Sequence, residues 1–566
     1  MVMNTEILGI IAMFAITLVI GIFLGKYIAN VYGYKKTFLD PVFQPIEKLI
    51  YKISGINPTR QMSWKQNMYA MLTINLIWFI IGFLILLNQS WLPLNPDGNP
   101  NMTADLAFNT AISFLVNCNL QHYSGETGVS YLSQLYLMFL QFVTAATGMA
   151  AMAVLFKAFK DKTATELGNF YDYFTKSMIR ILVPISVIVA LILSINGSPM
   201  TFEGKDHITT LEGQKIDVSR GPVAAFVAIK HLGTNGGGFF GANSAHPLEN
   251  PNYITNMTEM VTQMIIPFAL VFALGFYLKK RKLSWVIFTV MTVGFLALTI
   301  PNVINETGGN PLITEMGANS SRGAMEGKEI RFGSAASGYW SIATTVISTG
   351  SVNSMHDSTM PLSGMNELLA MMINCFYGGC GVGILNYFIF IILAVFISGL
   401  MVGRTPEFMG KKIEAKEMKI AMIVALFHPF LILVGTALTA YLPEFGAKTL
   451  NNPGFHGFSE MLYEFTSSSA NNGSGFEGLG DNTPWWNIST GIVLLLSRFI
   501  PIIGPIAIAG LLAQKKFIPE SSGTLKTDTA TFGFMTLAVI LLIAALSFFP
   551  ALTLGPIAEQ IQYFSK

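Results

Sequence analysis

The sequence predicts an all-α polytopic membrane protein: four helix–pore loop–helix repeats around a pseudo-fourfold pore, plus one extra helix at each end, ten transmembrane helices in all. Three observations predict it. Hydrophobic residues make up 52% of the 566, charged residues only 12%, and the mean hydropathy is +0.53; soluble domains are about a quarter charged. Ten apolar runs are long enough to cross a hydrocarbon core of roughly 30 Å. Four short Asn/Gly-rich segments recur between them: Val116-Asn-Cys-Asn-Leu-Gln121, Gly233-Thr-Asn-Gly-Gly-Gly238, Thr349-Gly-Ser-Val-Asn-Ser354 and Ala470-Asn-Asn-Gly-Ser-Gly475.

The runs cover 7–29, 68–87, 132–155, 177–194, 257–278, 283–304, 384–402, 416–442, 486–513 and 532–555. The first lacks a basic leader and a small-residue cleavage site, so it reads as a retained span and not a signal peptide. The middle eight pair around the four loops. This divides the chain into 1–66 (first helix and its connection), 67–156, 157–280, 281–413 and 414–515 (the repeats), and 516–566 (last helix). Each loop follows a stretch too short to span, at 104–114, 221–231, 337–348 and 457–468, read as a half-helix entering from one face. Backbone that ends inside the membrane is tolerable only where it lines water or is buried in protein.

Connections rich in Lys and Arg (30–66, 156–176, Lys279-Lys-Arg-Lys282, 403–419, 514–526) fall on one side, and all four loops fall on the other. By the positive-inside rule the loops and both termini face outward. The net charge of +2 and the lack of basic tracts interleaved with aromatics exclude a nucleic-acid partner. Cys118, Cys375 and Cys380 have no zinc-ligand spacing and read as small apolar or pore-wall residues.

Asn117, Asn235, Asn353 and Asn471 are each 118 apart, although the best match between loops slides by a residue or two. Gly236, Gly237, Gly238, Gly350, Gly473 and Gly475 permit backbone that turns several carbonyls to one axis. None of the four segments contains an acidic residue. Neutral oxygens replace the hydration shell of a monovalent ion without trapping it, so the natural guest is potassium. Three further features stand out. Tyr377-Gly-Gly-Cys-Gly-Val-Gly383 interrupts the helix after the third loop, and each interior glycine costs about 1 kcal/mol against Ala. The break at Gly378, Gly379, Gly381 and Gly383 therefore reads as a gate beneath the loops, the alternative being a static kink. Arg498 lies midway along an apolar span, where a cation costs about 2.5–3.5 kcal/mol. It reads as a barrier below the loops, with a helix–helix salt bridge as the alternative. Arg404, at an inner helix end stopped by Pro406, is a docking candidate for a cytoplasmic partner or a headgroup anchor.

Asp161-Lys-Thr-Ala-Thr165 is one substitution from a P-type ATPase phosphorylation loop. It occupies a connection of about twenty residues with no nucleotide domain beside it, so it reads as an acid capping a helix start. A membrane enzyme using Asp161 is the reading to be tested against. His356 and Asp357 read as a hydrogen-bonded loop anchor, and Glu326-Gly-Lys-Glu329 as packing over the mouth.

Thr234-Asn-Gly-Gly-Gly-Phe-Phe-Gly-Ala-Asn-Ser244, Glu326-Gly-Lys-Glu-Ile-Arg-Phe-Gly333, Val352-Asn-Ser-Met-His-Asp-Ser358, Gly403-Arg-Thr-Pro-Glu407 and Ser469-Ala-Asn-Asn-Gly-Ser474 together carry a resemblance. Over essentially its whole length the chain resembles the KdpA family, the potassium-binding subunits of bacterial Kdp potassium-transporting ATPases, within a superfamily that includes Trk and Ktr proteins. It departs at Cys118 and Leu120, where the family pattern has Thr and an aromatic, and it lacks a glycine before Asn471. The resemblance implies a potassium filter at Asn119, Gln121, Thr234, Asn235, Gly236, Gly237, Thr349, Gly350, Ser351, Asn471, Asn472 and Gly473. It implies no ATPase site and no covalent cofactor on this chain, with ATP used only by a P-type (KdpB-like) partner. It also implies a single-span KdpC-like subunit, a small KdpF-like peptide and a multi-pass place in the bacterial cytoplasmic membrane. A stand-alone Trk/Ktr-like channel or symporter is the same-fold alternative.

Overall fold

The computed structural model describes residues 2–401, 403, 405–519 and 525–564. Ten of its helices are long and apolar enough to cross a bilayer, and they match the ten expected runs to within a few residues at most ends. In chain order the helices are α1 Val2–Tyr32, α2 Asp40–Ser54, α3 Trp64–Asn88, α4 Ala104–Leu115, α5 Tyr131–Lys160, α6 Phe170–Ile195 and α7 Val223–Leu232. They continue as α8 Tyr253–Tyr277, α9 Arg281–Gly308, α10 Gly333–Ile347, α11 Pro361–Ile373, α12 Val382–Met401, α13 Ala415–Tyr441, α14 Phe455–Ala470, α15 Pro484–Gln514 and α16 Ala530–Leu552. The pattern long–short–long recurs as α3–α4–α5, α6–α7–α8, α9–α10–α11/α12 and α13–α14–α15. The short members are α4, α7, α10 and α14, the expected half-helices.

α1 lies along α8. Gly21 and Gly25 allow the approach: a β-carbon on Gly25 would stand 2.6 Å from the Ala269 carbonyl oxygen. Small residues let membrane helices pack where no hydrophobic force draws them together. α16 packs across α9 and α12. The main core is apolar and central, built from α5, α8, α9 and α12. The opposite faces of the outer helices present large apolar side chains, as the bilayer requires. On the loop side a small antiparallel hairpin pairs β1 (Asp206–Thr209) with β2 (Lys215–Val218), Asp206 opposite Val218.

One expectation needs correction, and one falls on a residue the structure does not describe. Asp161 does not start a helix; it ends α5, where it pairs with Lys157 at 2.7 Å. The last turn of a helix favours the cation, and Lys157 holds the carboxylate one turn away. Arg404 lies outside the described residues.

Candidate functional site

The four half-helices end in one way. Asn117, Thr234, Ser348 and Asn471 each take a left-handed conformation, with φ of 64°, 49°, 55° and 51°. The next residue closes the cap: the N–H groups of Cys118, Asn235, Thr349 and Asn472 donate to the carbonyls of Ser113, Lys230, Thr344 and Ser467 at 2.9–3.1 Å. A second left-handed residue follows at Asn119, Gly236, Gly350 and Gly473. This register corrects the equal spacing of asparagines. The third loop is set five residues earlier, at Ser348, whereas Asn353 lies past the ring and donates to Asn256 at 3.0 Å.

The loops close on one another. A β-carbon on Gly236 would stand 2.0 Å from the Thr349 carbonyl oxygen, one on Gly350 2.1 Å from that of Asn472, and one on Gly473 1.9 Å from that of Cys118. At these three seams only glycine fits. The fourth seam is built differently. Asn119 stands where the other loops have glycine, and its Nδ2 donates to the Gly236 carbonyl at 2.8 Å. Loop two makes room with a further left-handed glycine, Gly237, on which a β-carbon would stand 2.8 Å from Asn119 Cβ. Gln121 then clasps Gly238, accepting from its N–H at 2.7 Å and donating to its carbonyl at 2.9 Å.

Most of the expected amide side chains serve as braces. Asn235 Nδ2 donates to the Gln141 and Ile229 carbonyls, Asn472 Nδ2 to the Thr344 carbonyl at 2.8 Å, and Asn471 Nδ2 to Ser497 Oγ at 3.0 Å. Ser351 is tied back through its carbonyl, which accepts from Trp340 Nε1 at 2.8 Å. Among the described residues, Thr349 Oγ1, Thr344 Oγ1 and Asn119 Oδ1 are buried without a hydrogen-bond partner. Leaving such groups unpaired costs about 1–3 kcal/mol each, which a bound cation would offset. Sequence reading missed Thr144 on α5. Its hydroxyl lies 2.9 Å from Asn117 Oδ1 and 3.1 Å from Asn235 Oδ1, bridging loops one and two. A lone Thr in an apolar helix carries no signal of this by itself.

The glycine break lies directly beneath the ring. α11 ends at Ile373 and α12 begins at Val382. A β-carbon on Gly379 would stand 3.5 Å from Thr234 Oγ1, 3.7 Å from the Ile347 carbonyl and 4.0 Å from Asn117 Nδ2, so this residue faces the first two loops and the end of α10. The Cys380 N–H donates to Thr234 Oγ1 at 2.9 Å. Gly381 packs on α5, where a β-carbon would stand 2.2 Å from the Gly148 carbonyl. Gly378 and Gly383 pack against each other, with 2.4 Å between a Gly378 β-carbon and Gly383 Cα. Arg498 on α15 is 3% exposed and donates to the Thr144 carbonyl at 3.0 Å. Cys118, Cys375 and Cys380 are free and buried.

Above the ring sits an ionic cluster. His122 contacts Asn487 Oδ1 at 2.7 Å through Nδ1, and Glu464 at 3.1 Å and Asp481 at 3.9 Å through Nε2. Burial lowers its pKa, but Asp481 and Glu464 outweigh that and push it up to about 9. Further out, His356 binds the Tyr463 hydroxyl at 2.8 Å and Asp357 pairs with His456 at 3.0 Å. Both therefore anchor loops by hydrogen bonds. Lys328 forms a buried pair with Glu306 at 2.8 Å, and Arg331 donates to the Ala245 carbonyl at 2.6 Å.

The chain can now be set beside known proteins. Among solved structures it is similar to the potassium transporter TrkH from Vibrio parahaemolyticus, with a TM-score of 0.51 at 14% identity, covering 87% of this chain and 96% of that one. At that identity the likeness speaks for the fold alone. Among curated relatives, a potassium-transporting ATPase potassium-binding subunit from Flavobacterium johnsoniae is 70% identical, covering 98% of this chain and 99% of the relative. Its namesakes from Bacteroides thetaiotaomicron and Geobacillus kaustophilus are 60% and 48% identical, each covering at least 97% of both chains. The family model described as KdpA, the potassium-transporting ATPase A subunit, matches residues 11–561, and the chain belongs to that family.

Proposed function

We propose that this chain selects potassium at the four-loop ring and passes it to an ATP-hydrolysing P-type partner in an uptake complex. The observation that carries the reading is the closed ring itself: four loops in contact, glycine or Asn119 at every seam, and no carboxylate in any loop. A left-handed residue at every second position turns successive carbonyls toward the enclosed axis, where they replace water around a large monovalent ion. The carboxyl ends of four half-helices converge there, and their partial negative charge favours a cation. The His122–Glu464–Asp481 cluster draws cations to the mouth.

Below the ring, the 374–381 segment closes the axis and Arg498 repels an ion descending straight through. The ion is thereby turned sideways. A cavity lined by Asn374, Asn386, His428, Ser469 and Ser497, among apolar side chains of α13 and α16, offers a lateral way out. The Lys- and Arg-rich connections support a bacterial cytoplasmic-membrane orientation with loops and termini outside. The pump itself, a KdpB-like subunit, would be joined by single-span KdpC-like and small KdpF-like subunits; ATP would be bound only on the pump.

The test is to purify the chain from its native membrane and reconstitute it with and without what accompanies it. A companion carrying an Asp-Lys-Thr-Gly-Thr motif, and potassium uptake only with ATP, is the expected result. Potassium flux through the chain alone without ATP would favour a free-standing channel. A phosphoenzyme on this chain, lost in Asp161→Asn, would overturn the division of labour.

A further inference from the structure

The connection between the first two spanning helices presents a surface that ion transport leaves unused. At 100° per residue α2 has three faces. Phe43, Glu47 and Ile50 turn toward the protein. Val42, Ile46, Leu49 and Ile53 follow at i, i+4, i+7 and i+11 and are 58%, 41%, 57% and 77% exposed. Gln44, Lys48 and Lys52 form the third face, all exposed.

The charges are sorted as strictly as the apolar groups. Both acids of α2 point inward onto Arg180 of α6. Asp40 accepts from its Nη1 at 2.6 Å, and Glu47 accepts from its Nη2 at 2.7 Å and from its Nε. The Tyr51 hydroxyl adds a bond to Asp172 at 2.7 Å. The charges left facing outward between 33 and 54 are Lys35, Lys36, Lys48 and Lys52, all cationic.

The apolar stripe also has a neighbour that identifies its surroundings. Phe38, just before α2, is 81% exposed and its ring lies 5.9 Å from that of Tyr27 on α1. One turn further along α1 stands Phe23, 72% exposed on the outer face of a membrane-spanning helix. The stripe is thus continuous with a lipid-facing surface. Aligned aliphatic side chains flanked by lysines match a helix lying in a membrane interface.

We propose that α2 lies in the interface of the leaflet on the side away from the loop ring. Val42, Ile46, Leu49 and Ile53 enter the acyl boundary, and Lys48 and Lys52 meet anionic phospholipid headgroups. The Arg180 clamp holds the helix at that depth. This needs only that the chain spans a bilayer, not which side is cytoplasmic, so it stands or falls apart from the transport reading.

The experiment is nitroxide depth measurement on the full chain with its copurifying subunits, in vesicles of phosphatidylethanolamine and phosphatidylglycerol. Single cysteines replace residues 42, 44, 46, 48, 49, 52 and 53 in turn; the three native cysteines are buried, and the unsubstituted chain controls for their labelling. The expected result is an oxygen-to-nickel-chelate accessibility ratio that oscillates with the helix, high at 42, 46, 49 and 53 and low at 44, 48 and 52. Access of the water-soluble chelate at every position, or exclusion of both reagents along the stripe (a covering subunit), would overturn the proposal. Lys48→Gln with Lys52→Gln should lower the ratio at 46 and 49 roughly two-fold or more in anionic vesicles. If neither this variant nor phosphatidylcholine-only vesicles change it, the headgroup part is wrong.

Discussion

Arg498 Nη2 donates a 3.0 Å hydrogen bond to the carbonyl of Thr144, the residue whose hydroxyl bridges Asn117 and Asn235. The buried cation of the fourth repeat is therefore tied to the helix turn that braces the first two loops. It is fixed beneath the ring and, among the described residues, is bound to a carbonyl and not to a carboxylate.

On the proposed reading, a cation held in this way acts as an electrostatic barrier. Arg498→Met removes the charge and keeps most of the side-chain volume. Potassium affinity is expected to change less than about three-fold, since the ring is untouched, while an ATP-independent rubidium leak appears in reconstituted vesicles. Arg498→Lys should leak far less. A tight vesicle with Arg498→Met would show that the residue serves only to join α15 and α5.

The three glycine seams and the one Asn119 seam lead to unequal expectations. At Gly350 a β-carbon meets the Asn472 carbonyl at 2.1 Å in a backbone of φ +77°, so steric clash adds to left-handed strain of about 1–2 kcal/mol. Gly350→Ser and Gly236→Asp should weaken apparent potassium affinity by about tenfold or more, equivalent to about 1.4 kcal/mol, and admit sodium or exclude rubidium less well. Potassium-stimulated ATP hydrolysis should persist at saturating potassium. At the remaining seam, Gly237→Ala should be partly rescued by Asn119→Gly, because the 2.8 Å β-carbon contact is then gone. Wild-type affinity in both Gly350→Ser and Gly236→Asp would remove the filter assignment.

How far the sequence spoke for itself follows from periodicity. Spans are legible because about twenty apolar residues are a necessity in lipid, and Gly350 and Gly473 because a left-handed turn favours glycine. The register of the third loop was not legible. It depends on Ser348 adopting a left-handed conformation that serine rarely prefers, and on the Thr349–Thr344 cap bond. Nor did Asn235, Asn471 or Asn472 reveal in sequence that their amides face helices. Asn is equally suited to coordinate an ion and to cap a backbone carbonyl.

Gly379 separates gate from kink. Its φ lies outside the left-handed range and a β-carbon there makes only ordinary contacts of 3.5 Å or more. Gly379→Ala should fold normally and bind potassium as the wild type does, yet slow maximal transport several-fold by filling the axis below the ring. Gly379→Val should slow it further. By contrast Gly381→Ala meets the Gly148 carbonyl at 2.2 Å and should cost stability. Unchanged turnover in both Gly379 variants would make the break a packing feature.

The outer rim makes a pH prediction. His456 Nδ1 contacts Glu559 at 2.9 Å and Nε2 contacts Asp357 at 3.0 Å. Burial lowers its pKa, but hydrogen bonds to both carboxylates and their charges raise it to about 10, from 6.5 in an unperturbed imidazole. A raised pKa means the folded state holds the proton more tightly. The stabilisation is complete below about pH 6.5 and is lost as pH rises through about 10. His456→Gln should therefore reduce stability at pH 7 by on the order of 2 kcal/mol, the scale of hydrogen bonds to charged groups. The gap from the wild type should close as pH approaches 10. Thermal unfolding in lipid nanodiscs across pH 7 to 10 measures it, and two parallel curves would show that His456 is not held as a cation.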